Sequence, residues 1–176
     1  MFPLLGEPLP IDLVNTRVST GDLLTTPAAL AAWIDEQSDR LPPLARVELA
    51  PVLTLRDHIY AAVQAARIGT APPPKSLSAL TEAHRAAPLY GELSWTGSAV
   101  TTTPRRAADA TTLFLATLAE ATADLLTSPA ITKVSQCEGP ECLLLFLPAH
   151  PRRRWCSPKI CGNRVRVARY YHRHKD

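Results

Sequence analysis

The first 136 residues of this 176-residue chain contain no cysteine, so neither a disulfide framework nor a thiolate metal site can lie there. No apolar run approaches the roughly 20 residues that a membrane span requires. The opening Met1-Phe2-Pro3 lacks the basic start and apolar core of a signal peptide. These absences lead us to expect a soluble, cytoplasmic protein with reduced thiols. Catalytic signatures are missing too. The histidines, at 58, 84, 150, 172 and 174, stand singly and never in the i, i+4 pairing with a glutamate that a zinc protease uses. There is no glycine-rich phosphate loop, no nucleophile elbow and no dinucleotide fingerprint. An enzyme is not expected, and His58, beside the core face of a helix, reads as a structural histidine. No internal repeat or low-complexity segment occurs.

All four cysteines fall in the last forty residues. They form two C-x4-C pairs, Cys137-Glu-Gly-Pro-Glu-Cys142 and Cys156-Ser-Pro-Lys-Ile-Cys161, with thirteen residues between them. Paired thiolates on two short knuckles match the tetrahedral demand of a zinc ion. The rival reading is two disulfides, which belong to oxidising compartments and usually to smaller chains. We expect one structural zinc per chain on Cys137, Cys142, Cys156 and Cys161. Forty residues hold too little apolar surface to fold without it. Four cysteines also leave no open coordination position for a catalytic water.

The run Arg153-Arg154-Trp155-Cys156, followed by Cys161-Gly162-Asn163-Arg164, resembles the signature of the bacterial CGNR zinc-finger family, described as candidate stress-induced transcription regulators. In that family a helix-rich domain called ABATE precedes the finger, and Leu9-Pro-Ile-Asp12-Leu-Val-Asn15-Thr16 resembles the start of that domain. The resemblance implies a DNA-binding stress regulator and covers the whole chain. Two places depart from it: the turn Leu147-Pro148-Ala149-His150-Pro151, and Arg166 after the CGNR box.

The residues themselves predict an α+β, mainly helical fold. A helix-rich, possible sensor domain over 1–130 carries a short β-hairpin, and a treble-clef-like finger, hairpin plus helix, occupies 131–176. Pro8 to Val18 reads as an extended segment whose Asp12, Asn15, Thr16 and Arg17 are candidates to rim a small-molecule effector pocket; for Asp12 and Asn15 the other use is to satisfy backbone groups at a strand end or turn. Thr26-Pro27 starts a helix with Leu30, Trp33 and Ile34 buried. A longer helix is expected from about Leu44 to Ile68, kinked or restarted at Pro51 and stopped by Gly69. Ser76 is read as the cap of a third helix. Leu93–Trp95 and Ala99–Thr103 read as a hairpin, and Pro104 as the start of a helix running from about Arg105 to Leu126. In the finger, Leu143–Leu147 is expected to pair with Arg152–Trp155, Trp155 and Phe146 to cover the metal, and Ser157-Pro158 to open a helix carrying Cys161 in its first turn. Gly162 is expected to allow a close approach, and Asn163 to hydrogen-bond backbone around the cysteines.

Charge is divided along the chain. Residues 151–176 hold nine Lys and Arg against Asp176 alone, a balance of +8, whereas residues 1–150 carry −5. A basic tail on an acidic body points to a polyanion. Arg152, Arg153 and Arg154 on the hairpin, with Arg166, Arg169 and Arg173 on the helix, are the candidate contacts to double-stranded DNA. Arg164 is open between anchoring the hairpin and meeting phosphate. RNA stays possible, because a basic helix does not choose between duplexes. A zinc-stabilised protein–protein adaptor, with its finger packed on the helical domain, is the alternative function.

Overall fold

The computed structural model describes residues 2–173; of the side chains in the last helix, those of residues 168, 169, 171, 172 and 173 lie outside the description. The chain opens with a six-residue helix, α1 (Leu9–Val14), buried on every side. We expected extended backbone here. Apolar residues on all faces erase helical periodicity, and Pro10 fits the first turn, where its missing N–H would have no partner anyway. A two-residue ribbon, β1 (Arg17–Val18) with β2 (Gly21–Asp22), follows. Then comes α2 (Pro27–Asp35), begun by Thr26, whose hydroxyl accepts from the Ala29 amide at 3.1 Å.

Helix α3 (Leu49–Arg67) buries Val52, Leu55, Arg56, Ile59, Ala62 and Val63 along one face. It starts later than predicted, so Pro51 falls in the first turn, breaks no hydrogen bond and leaves the helix uninterrupted. Its end is a Schellman motif: Gly69, at φ +75°, donates to the Ala66 carbonyl and Thr70 to that of Ala65, both at 3.0 Å. Helix α4 (Pro74–Ala86) begins two residues before Ser76, which is buried 3.3 Å from the His58 ring instead of capping. Helix α5 (Ala110–Thr127) packs against α3 and α4, and Trp33 meets Phe114 edge-on at 6.3 Å inside this core.

Between α4 and α5 projects a ribbon of two six-residue strands, β3 (Tyr90–Trp95) and β4 (Val100–Arg105). Pro104 lies inside β4, opposite Gly91, not at a helix start. A proline is tolerated on an edge strand, and the true cap of α5 is Asp109, which accepts from the Thr112 amide at 3.0 Å. Among the described residues no helix is long and apolar enough to cross a membrane.

A 3-10 turn (Pro129–Lys133) leads to β5 (Ser135–Gln136), which pairs antiparallel with β6 (Leu145–Phe146). Arg152–Trp155, the partner expected from the sequence, is not a strand. Successive strand residues face opposite sides, and here this joins two cores: Leu145 enters the main one with Ile131 and Val134, while Leu144 and Phe146 pack among the cysteines. A π-turn (Pro158–Gly162) then runs into α6 (Asn163–Arg173), with Ser157 accepting from the Lys159 amide.

Candidate metal centre

The β5–β6 hairpin presents Cys137 and Cys142 on one knuckle, and the π-turn presents Cys161 opposite Cys156. The four sulfur atoms lie within 4.8 Å of one another, and Cys142 Sγ is 3.9 Å from Cys156 Sγ. No pair is disulfide-bonded. A tetrahedral zinc with Zn–S near 2.3 Å has sulfur–sulfur edges of about 3.8 Å, so these side chains fit the ion. Cys137, Cys156 and Cys161 are buried, with Phe146 and part of Trp155 packed over the group.

Protein donors aim at the sulfurs. Cys137 Sγ accepts from the amides of Cys156 at 3.2 Å and Gly139 at 3.4 Å. Burial opposes the Cys137 thiolate, yet these amides outweigh it and hold its pKa below the usual thiol value. Burial pushes Cys142 up to about 11 and raises Cys156 as well, and neighbouring sulfurs add to both shifts. Cys142 and Cys156 therefore resist shedding their protons without a cation, whose charge supplies the missing compensation.

Arg164 sits in this shell. Its Nη2 donates to the Pro140 carbonyl at 2.7 Å and lies 3.5 Å from Cys161 Sγ, so it ties the last helix to the first knuckle. The close approach belongs to Gly139 and not to Gly162. A Cβ on Gly139 would stand 2.9 Å from Cys161 Cβ, whereas one on Gly162 would make only ordinary contacts. Asn163 is exposed, and its side chain accepts from Arg166 Nη1 at 3.0 Å instead of serving the cysteine backbone.

The remaining candidate residues separate into two groups. Arg153 turns inward: Nη2 donates to Glu7 Oε1 at 2.8 Å and to the Cys156 carbonyl at 2.6 Å, and the guanidinium stacks over Phe146 at 4.4 Å. Arg152, Arg154 and Arg166 are exposed, Arg154 being paired with Glu138. Arg169 and Arg173 lie on α6, their side chains outside the described residues.

In the N-terminal segment, Asp12 is buried against Arg40 at 2.5 Å. Asn15 acts as an extra rung on β6, accepting from the Leu145 amide at 2.8 Å and donating to its carbonyl at 2.9 Å. Thr16 accepts from Arg56 at 2.7 Å, and Arg17 pairs with Asp57. Each of these side chains thus has a structural partner, and the hollow beside Asn15 and Arg17 is only about 140 Å³. Sequence reading missed Glu7, Arg40 and Arg56. Glu7 and Arg40 lie in stretches without periodicity; Arg56 was visible, since it falls in the apolar stripe of α3 between Val52 and Ile59.

Comparison with family models settles what this architecture is. The ABATE model, described as "Putative stress-induced transcription regulator", matches residues 7–129, and the CGNR zinc finger model matches 133–174. The chain belongs to the ABATE family and ends in a CGNR zinc finger. No curated protein matches it. The four clustered cysteines of the CGNR finger are able to hold one structural zinc. Of the motif's four letters, Cys161 belongs to that cluster, Gly162 sits in the π-turn, Asn163 receives Arg166, and Arg164 braces the knuckle.

Proposed function

We propose that this protein is a transcription regulator whose CGNR finger binds double-stranded DNA. Arg152, Arg154 and Arg166 would meet the duplex, together with Arg169 and Arg173 farther along α6. Bound zinc supplies the cross-link that holds the two knuckles together. The chain's own residues do the rest: Arg153 and Arg164 brace the finger by hydrogen bonds to Glu7 and the Pro140 carbonyl, and the other arginines meet phosphate. The single observation behind this reading is that a tail of charge +8 retains exposed arginines on its turn and helix after Arg153 and Arg164 have been engaged by Glu7 and the Pro140 carbonyl. Phosphate neutralisation releases counterions and gives steep salt dependence, and an α-helix fits a major groove. The ABATE domain would act as the sensor of a small effector.

Fluorescence anisotropy with duplex DNA across a salt series tests the proposal. Binding should weaken steeply with salt, and Arg166→Ala should reduce it. Absence of binding at low salt would overturn it in favour of the adaptor reading, which one observation favours: the finger is docked on the ABATE domain through Asn15–Leu145 and Glu7–Arg153.

A further inference from the structure

The four sulfurs of the metal centre are not equivalent. Cys137, Cys156 and Cys161 are 5 %, 1 % and 2 % exposed, whereas Cys142 is only half-buried and stands between exposed Glu141 and exposed Leu143. A dissolved oxidant therefore meets Cys142 first.

Hydrogen bonds sharpen the difference. Cys137 Sγ accepts from the Gly139 and Cys156 amides, and Arg164 Nη2 lies 3.5 Å from Cys161 Sγ. Donors of this kind draw charge from a thiolate and make it a weaker nucleophile. Cys142 receives the Leu144 amide but keeps its access to solvent. The groups facing Cys156 Sγ are other sulfurs, Cys142 Sγ at 3.9 Å among them. Glu141, the residue before Cys142, stands at φ +59°, a left-handed conformation uncommon for a residue with a side chain. The first knuckle thus holds Cys142 on a strained backbone that its release would relax. An accessible sulfur with a second sulfur poised behind it is what thiol oxidation sensing requires.

We propose that Cys142 is an oxidation site for hydroperoxides, which Cys156 resolves to a Cys142–Cys156 disulfide with loss of the zinc. Cysteines bound to the ion are thiolates. Cys142 Sγ attacks one oxygen of hydrogen peroxide; the O–O bond breaks, hydroxide leaves, and Cys142 becomes a sulfenic acid, oxidised by two electrons. Cys156 Sγ then attacks Cys142 Sγ, the S–O bond breaks, and a second hydroxide leaves. Two protons from solvent turn both hydroxides into water. Only Cys137 and Cys161 remain as ligands, too few for a structural zinc. The cluster that sets Arg164 against the Pro140 carbonyl and Gly139 against Cys161 is then broken, and α6 comes away from the first knuckle.

Hydrogen peroxide added to the zinc-loaded full chain tests this, with zinc release read by a chromophoric chelator and the cysteines mapped by mass spectrometry with and without a sulfenic-acid trap. Zinc should leave as peroxide is consumed, the trap should sit on Cys142, and the first disulfide should join Cys142 to Cys156. A thiol reductant and fresh zinc should restore the starting state. Cys142→His keeps a nitrogen ligand for the ion but no sulfur to oxidise, and should slow zinc release about tenfold or more. If that variant takes up no zinc, the wild-type map decides alone. Zinc that stays bound through excess peroxide, a trap on another cysteine, or a first disulfide between another pair would overturn the proposal, as would a loaded Cys142→His chain that releases zinc at the wild-type rate.

Discussion

Burial sorts the arginines of this protein into different jobs. Arg56, at 1 % exposure, forks its guanidinium onto Asp22 and Thr16 and joins β2 to α3; Arg153 crosses from the finger to Glu7, itself 4 % exposed. Removing Arg153 strands a buried carboxylate, so Arg153→Ala should cost about 3–5 kcal/mol in a urea titration, whereas Arg152→Ala should stay within about 0.5 kcal/mol. Asp22 gives a pH test. The Arg56 hydrogen bonds hold its pKa below the ordinary 3.8. The resulting stability is fully present above the unfolded value and is lost as pH falls from there through the folded one. Asp12 has the opposite sign: burial raises its pKa despite Arg40, so its contribution is present at low pH and lost as pH rises through the folded value. The stability gap between wild type and Asp22→Asn should therefore stay constant from about pH 5 to 8 and narrow below about pH 4. A gap independent of pH down to acid unfolding would show that the pair contributes nothing through Asp22 charge. Sequence reading gave backbone bonding as one use of Asp12 and Asn15, and Asn15 does bond the Leu145 backbone, but it could not name partners, because Asp12, Asn15 and Thr16 meet them 28 to 130 positions away.

The elements most legible in the sequence were those with local signals. Thr26-Pro27 and Gly69 fixed helix ends, and the spacing of apolar residues marked α3 and α5. The hairpin was found but read short, since Pro104 looked like a helix start. The partner of β6 was missed because β5 is only two residues long and shows no alternation, while the arginine-rich 152–155 stretch looked more like a strand than a brace. That pairing has an energetic consequence. Ile131, Val134 and Leu145 belong to the main core, so the finger is not a free appendage. Chelating zinc should collapse the finger, keep most of the far-UV helicity, and still lower the melting temperature of the helical body, as read by circular dichroism. An unchanged melting temperature would mean that docking adds no stability. Gly139→Ala forces a methyl onto Cys161 Cβ and Sγ, at 2.9 and 3.0 Å, and should weaken zinc about 10–100-fold in competition with a chromophoric chelator.

On the scale of the whole molecule, the charge map limits how DNA could be held. Residues 1–150 carry −5 and repel a polyanion, which would leave approach to the basic tail. Nine Lys and Arg lie there by sequence, but Arg153 and Arg164 are committed to Glu7 and to the Pro140 carbonyl, which leaves at most seven to meet phosphate. Each phosphate neutralised on a B-form duplex changes the slope of log K against log salt by about −0.9, so a docked finger can reach a slope of at most about −6. The measurement is anisotropy on a duplex short enough to hold one finger, repeated from low to moderate salt. A slope near −8 would require Arg153 and Arg164 to meet phosphate as well, and hence a finger in which Arg153 has left Glu7 of the ABATE domain. A slope close to zero would remove phosphate contact altogether and leave the finger as a surface for another protein. Between those limits, Arg152→Ala should lower the slope by about one unit for every sequence tested, and Arg166→Ala should do so while also relaxing base preference if its side chain reaches a base edge.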